Sequence, residues 1–136
     1  MSRYIDLGAV ERKRYVMAPE HDVVLVVDDE DEARDALTQL LEFEGFKVFG
    51  CRHGLDALEY LGKSDPPCVI VTDIRMPVMD GLEFRKFLLG DARLARIPII
   101  VVTGLDPFAS TALGAQRVFR KPVDVEALVA AVRRNC

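Results

Sequence analysis

Three short, uninterrupted runs of branched apolar residues, Val23 to Val27, Val69 to Val71 and Ile99 to Val102, constrain this chain more than any other feature. A strand covered on both faces reads as such a run, whereas a strand with one wet face alternates. The runs therefore predict central strands of a parallel sheet. Between them, apolar residues recur at helical spacing, as in Ala33, Ala36, Leu37, Leu40 and Leu41, with Gly45 as a stop. Alternating strand and helix argues for parallel strands joined by right-handed crossovers, an α/β fold whose strands all end on one edge. Lys47 to Phe49 predicts a short second strand and Leu55 to Leu61 a second helix. Asp80 caps a third helix carrying Leu82, Phe84, Phe87 and Leu88, and a last helix spans Asp124 to Arg133.

Ligands of open α/β sheets bind outside the carboxyl ends of the strands, so the residues that end the runs carry the function. These are Asp28 and Asp29 after VVLVV, Asp73 after VIVT, Thr103 after IIVV and Lys121 after RVFR. Three carboxylates brought together stay ionised only beside a cation. Oxygen-only ligands favour a hard ion, and Mg²⁺ suits best because it keeps several waters and needs only one or two carboxylates. Asp29 and Asp73 are the expected direct ligands, with Asp28 acting through water and the backbone carbonyl of Arg75 adding an oxygen. A carboxylate can also attack phosphorus, forming an aspartyl phosphate, and Asp73 holds the central position for that role. Lys121 brings a compact positive charge for phosphoryl oxygens, and Thr103 a hydroxyl donor. Taken singly, each residue has a plainer reading: an acidic helix start, a turn threonine, a Lys-Pro loop. Only their joint occurrence at successive strand ends points to phosphoryl chemistry.

The residues around Asp73 read Thr72, Asp73, Ile74, Arg75, Met76, Pro77, Val78, Met79, Asp80, Gly81. This stretch resembles the D-x-x-M-P-x-x-x-G signature of response-regulator receiver domains. The acidic pair in VVDDE, the VTG after the fourth run and the RKP near the end extend the resemblance over residues 22 to 134. It implies a flavodoxin-like (βα)5 doubly wound parallel sheet of strand order 2-1-3-4-5, phosphorylated on Asp73 with Mg²⁺ by a histidine kinase or histidine phosphotransfer protein. It also implies a signalling switch rather than an enzyme, and a cis peptide bond before Pro122.

With 136 residues the chain suits one domain. A net charge of −4 gives no overall pull toward nucleic acid or anionic membrane. No stretch approaches transmembrane length, and the start lacks an apolar signal core, so a cytoplasmic location is expected. No helix-turn-helix or basic recognition segment follows the last helix, which argues against direct nucleic-acid binding. Cys51, Cys68 and Cys136 are odd in number and lack metal-type spacing, so reduced structural thiols are expected. His21 and His53 are isolated and read as surface histidines.

Three departures from the family pattern stand out. Only residues 104–116 separate the fourth strand from the fifth. This allows either a helix of about two turns, with Asp106 as cap, Pro107 at the first helical position and Gly114 as stop, or an irregular loop. Val118 stands where receivers of this type usually carry the Tyr or Phe of an aromatic switch, while Phe119 is aimed by strand alternation at the opposite face and reads as core. Residues 1–19 precede the fold, which is assigned to 20–136. Their Arg12 to Arg14 form a solvated run or a partner contact, and Tyr4, Ile5, Leu7, Val10 and Tyr15 pack on the domain or mediate a homodimer. Arg75 and Leu105, each two positions beyond a site residue, resemble the positions that tune phosphoryl lifetime. The leading expectation is a phosphorylation-controlled switch acting through another protein. The alternatives are a phosphorelay intermediate or phosphate sink, a receiver cut from a larger hybrid kinase or regulator, and an aspartate-nucleophile phosphohydrolase.

Overall fold

The computed structural model describes residues 4–6, 15–17, 23–104, 114–115 and 117–136. The expectations for His21, for Arg12 to Arg14 and for Leu105 therefore concern residues outside the described ones, and so does the helix or loop expected across 104–116 for residues 105–113 and 116. Near the start, β1 (Tyr4–Asp6) pairs antiparallel with β2 (Tyr15–Met17) as a separate two-stranded sheet.

The main sheet holds β3 (Val23–Val27), β4 (Lys47–Cys51), β5 (Val69–Thr72), β6 (Ile99–Thr103) and β7 (Arg117–Arg120). All four pairings are parallel and the spatial order is β4-β3-β5-β6-β7. Counted within this sheet the order is 2-1-3-4-5, the doubly wound topology expected from sequence. Four helices are seen among the described residues: α1 (Asp31–Phe43), α2 (Gly54–Lys63), α3 (Gly81–Leu89) and α4 (Val125–Asn135). Each begins and ends within a few residues of where its sequence signals place it. Gly45 stops α1 with φ +97, a conformation open to glycine at little cost, and the Asp80 carboxylate caps α3 by accepting from the Glu83 amide at 2.9 Å.

Strand alternation sorts the apolar runs into two cores. Leu25, Val27, Ile70, Ile99 and Val101 face α2 and α3, where Ala57, Leu61, Phe84 and Leu88 are fully buried. Val24, Val26, Val69, Val71, Ile100 and Val102 face α1 and α4 through Leu41, Leu128 and Val132. Burial of each such side chain contributes roughly 1.5–3 kcal/mol, and it is burial on both faces that erases polar alternation from β3, β5 and β6. Phe119 joins the second core and Val118 packs against the first, so the two residues face opposite sides of the sheet as alternation requires.

Two sequence expectations are corrected. Cys68 and Cys136, at a sequence separation of 68, are disulfide-bonded with Cα atoms 5.3 Å apart, a distance inside the range a disulfide spans. Linear spacing carried no sign of this, because the pair meets only when α4 folds back beneath the start of β5. His53 is not a surface residue: its side chain is only 15% exposed, and its Nδ1 caps α2 by accepting from the Asp56 amide at 3.3 Å. No helix among the described residues is long and apolar enough to cross a membrane.

Candidate functional site

The register of the central strands sets the site. Val27 pairs with Thr72 and Thr103 with Arg120, so the residues that follow, Asp28, Asp73 and Lys121, emerge together with Thr103 at the carboxyl edge. Main-chain bonds extend the ladder one step further: Asp28 N donates to Cys51 O, Asp73 N to Val27 O and Lys121 N to Thr103 O, at 3.0, 3.0 and 2.9 Å. Asp28, Asp73 and Thr103 are buried and Asp29 is exposed. An open cleft of about 660 Å³ is lined by Asp29, Glu30, Asp73, Arg75, Thr103 and Lys121, among others.

Lys121 organises the charges. Its Nζ stands 3.0 Å from Asp73 Oδ2 and 3.5 Å from Asp28 Oδ2, an ammonium shared between two buried carboxylates. Burial, the largest single influence, pulls the Lys121 ammonium down, but the hydrogen bonds and charges of Asp73 and Asp28 outweigh it and hold the group above its ordinary value. The other Asp73 oxygen accepts from the Ile74 amide at 2.7 Å. Asp28 Oδ1 accepts from the Glu30 amide at 3.0 Å. The Lys121–Pro122 peptide bond is cis.

The loop from Asp73 to Gly81 explains its own signature. The Gly81 amide donates to Ile74 O at 2.7 Å, and a Cβ on Gly81 would lie 2.9 Å from Asp73 O, so only glycine lets α3 begin against the main chain that carries Asp73. Met79 is buried against Gly54, and the Gly54 amide donates to Met79 O at 3.4 Å. Between Pro77 and Met79 the chain makes a tight turn, Met79 N to Pro77 O at 2.7 Å, with Val78 in the left-handed region at φ 67.

The sequence pattern of the response regulator receiver domain matches residues 24–133. The chain belongs to this family. The receiver is 42% identical over 121 residues to the transcriptional regulatory protein FixJ of Azorhizobium caulinodans, an alignment covering 86% of this chain and 56% of that protein. The chain spans about half the length of the first curated relatives it matches. Among solved structures it is similar to a response regulator receiver protein from Pseudomonas putida, with TM-score 0.79 and 30% identity over 86% of this chain and 99% of that one. It is also similar to the chemotaxis protein CheY4 of Vibrio cholerae, with TM-score 0.76 and 29% identity over 85% and 99%.

Of the strand-end residues selected from sequence, Asp29, Asp73, Thr103 and Lys121 thus line one cleft together with an exposed Arg75, and Asp28 is buried next to it, 3.5 Å from the Lys121 ammonium. Sequence reasoning missed Arg34, whose guanidinium donates to Asp28 O at 2.8 Å, and Glu30, which lines the cleft. Asp31 three positions before Arg34 signals an ion pair along the helix, not the bond to the Asp28 carbonyl. Among the described residues no three carboxylate, imidazole or thiol groups already surround one point closely enough to hold a metal alone. The donor set nevertheless fits Mg²⁺: an exposed Asp29 beside a buried Asp73, oxygen ligands only, and open room for the waters this ion retains.

Proposed function

We infer that this receiver accepts a phosphoryl group on Asp73 from the phosphohistidine of a histidine kinase or phosphotransfer protein, and that the modified domain changes its contacts with another protein. The observation that carries the reading is the apposition of the Asp73 carboxylate and the Lys121 ammonium in an open cleft also lined by Asp29 and Thr103. In the transfer an Asp73 carboxylate oxygen attacks phosphorus, the P–N bond to the donor imidazole breaks, and that nitrogen keeps the bonding electron pair. Asp29, Asp73 and the Arg75 carbonyl would hold Mg²⁺ directly and Asp28 through water. The ion supplies charge neutralisation of the phosphoryl oxygens. Lys121 turns from a partner of the free carboxylate into a partner of the phosphoryl group, and Thr103 offers its hydroxyl from the end of β6. The aspartyl phosphate then biases an existing two-state equilibrium. With Val118 where the family usually has an aromatic residue, output runs through the surface that follows Thr103. The chain's relative FixJ is named a transcriptional regulatory protein, and the aligned residues cover 56% of it.

Incubation with Mg²⁺ and acetyl phosphate, followed by intact mass, tests the reading. A single phosphoryl adduct on wild type and none on Asp73→Asn is the expected result. Absence of an adduct on wild type would leave a phosphorylation-independent interaction module.

A further inference from the structure

Both main-chain polar groups of Asp28 are fastened. Its amide donates to Cys51 O at 3.0 Å, and its carbonyl accepts from Arg34 Nη1 at 2.8 Å. Arg34 lies one turn into α1, and its Nη2 donates to Asp31 Oδ1 at 2.5 Å, so the guanidinium fork bridges the end of β3 and the first turn of α1. The Arg34 side chain is only 15% exposed. Its stem runs across Gly50 of β4, where an added Cβ would stand 3.3 Å from Cδ and 3.4 Å from Cγ. α1 is also the one described helix whose N-cap residue, Glu30, makes no side-chain capping bond, whereas His53, Asp80 and Asp124 each cap theirs. The turn from β3 into α1 is therefore held by Arg34 and by the Asp28 carboxylate on the Glu30 amide. Asp29 sits inside that turn, so its starting geometry is set by a residue outside the cleft lining.

We propose that Arg34 is a positioning residue of the site, fixing the backbone between Asp28 and Asp29 and thereby setting the affinity for the divalent cation without touching it. Gly50 is its partner, because any side chain there would press on the stem and a bulky one would displace it. The inference rests on the phosphoacceptor reading of the cleft. Its sign separates it from simple electrostatics. A guanidinium near an acidic site repels a cation, so a role through charge alone would make Arg34→Ala bind Mg²⁺ more tightly. A role through position makes the same variant bind more weakly.

The test is a Mg²⁺ titration of wild type, Arg34→Ala and Gly50→Val followed by amide chemical shifts, with the acetyl phosphate adduct measured in parallel at saturating Mg²⁺. The dissociation constant of Arg34→Ala is expected to rise roughly tenfold, as when a group that orients metal ligands is removed, while the adduct at saturating Mg²⁺ stays at the wild-type level. Gly50→Val keeps the charge and displaces the stem. It is expected to weaken binding in the same direction, and it carries the test should Arg34→Ala fail to fold. Unchanged or tighter Mg²⁺ binding in the folded variants, with a normal wild-type adduct, overturns the positioning role alone. A wild type that neither binds Mg²⁺ nor forms the adduct overturns the phosphoacceptor reading and this inference with it.

Discussion

The Lys121 ammonium crosses 48 positions of chain to stand 3.0 Å from the Asp73 carboxylate, with Asp28 at 3.5 Å competing for the same charge. Replacing Lys121 by Met leaves two buried carboxylates without a cation. The side chain is 31% exposed, so solvent softens the loss. The expected destabilisation is about 1–2 kcal/mol, below the 3–5 typical of a fully buried broken pair. Mg²⁺ bound by the same carboxylates would supply the missing charge, so the deficit in chemical denaturation should shrink when the ion is added. A deficit indifferent to Mg²⁺ would separate Lys121 from the metal site.

The same pair predicts an alkaline limb. Because the folded state holds Lys121 above its ordinary value, its contribution to stability is fully present below the unfolded pKa, about 10.4. The contribution is lost as pH rises through the folded value. Above about pH 10 wild type should therefore lose stability more steeply than Lys121→Met in denaturant titrations. Parallel curves would show that the ammonium gains nothing from its partners.

Gly81→Ala should damage both fold and site. The new Cβ would meet Asp73 O and Ile74 Cα at 2.9 Å, and both are backbone atoms that cannot rotate aside. A loss of roughly 1–3 kcal/mol is expected, the usual cost of overpacking. Asp73 phosphorylation should slow even at temperatures where the variant is folded. A variant of wild-type stability would mean that the loop from Asp73 to Gly81 yields freely.

Much of this was legible in the chain because doubly covered strands leave continuous apolar runs, and the next residue in each case had to land on one edge. Asp28, Asp73, Thr103 and Lys121 were readable for that reason: strand register alone brings them together. Arg34 was not, since its partner is a main-chain carbonyl, and a carbonyl has no identity in a sequence. The Cys68–Cys136 bond was missed because it depends on where α4 ends beneath β5, a tertiary fact. Val78 was equally hidden, as nothing in the letters M-P-V-M announces a left-handed φ at a β-branched residue.

Val78 is 71% exposed, so little packing offsets its backbone strain. A β-branched side chain held at positive φ costs on the order of 1–3 kcal/mol. Asparagine tolerates this region far better and, unlike glycine, adds little freedom to the unfolded chain. Val78→Asn is expected to stabilise the domain by about 1 kcal/mol in urea unfolding. Destabilisation would show that the valine side chain makes a contact worth more than the strain.

The three cysteines should react in a fixed order. Burial, followed by the nearby charge of Asp56, pushes the Cys51 thiol up to about 12 against a weaker opposing pull from Arg34. Since the thiolate is the reactive form, Cys51 should resist a thiol reagent at pH 8 in the folded protein. Cys68 and Cys136 are bonded to each other, so unfolding without reductant should release one thiol per chain, and unfolding with reductant all three. The bridge closes a loop across 68 positions, for which the chain-entropy relation gives about 4 kcal/mol of stabilisation as an upper figure. Reduction, or Cys136→Ser, should therefore lower the urea midpoint while leaving phosphorylation of Asp73 intact, because the bond joins the ends of β5 and α4 remote from the strand edge that carries the site. Two or more thiols released on unfolding without reductant would show that the pair is not bridged in solution.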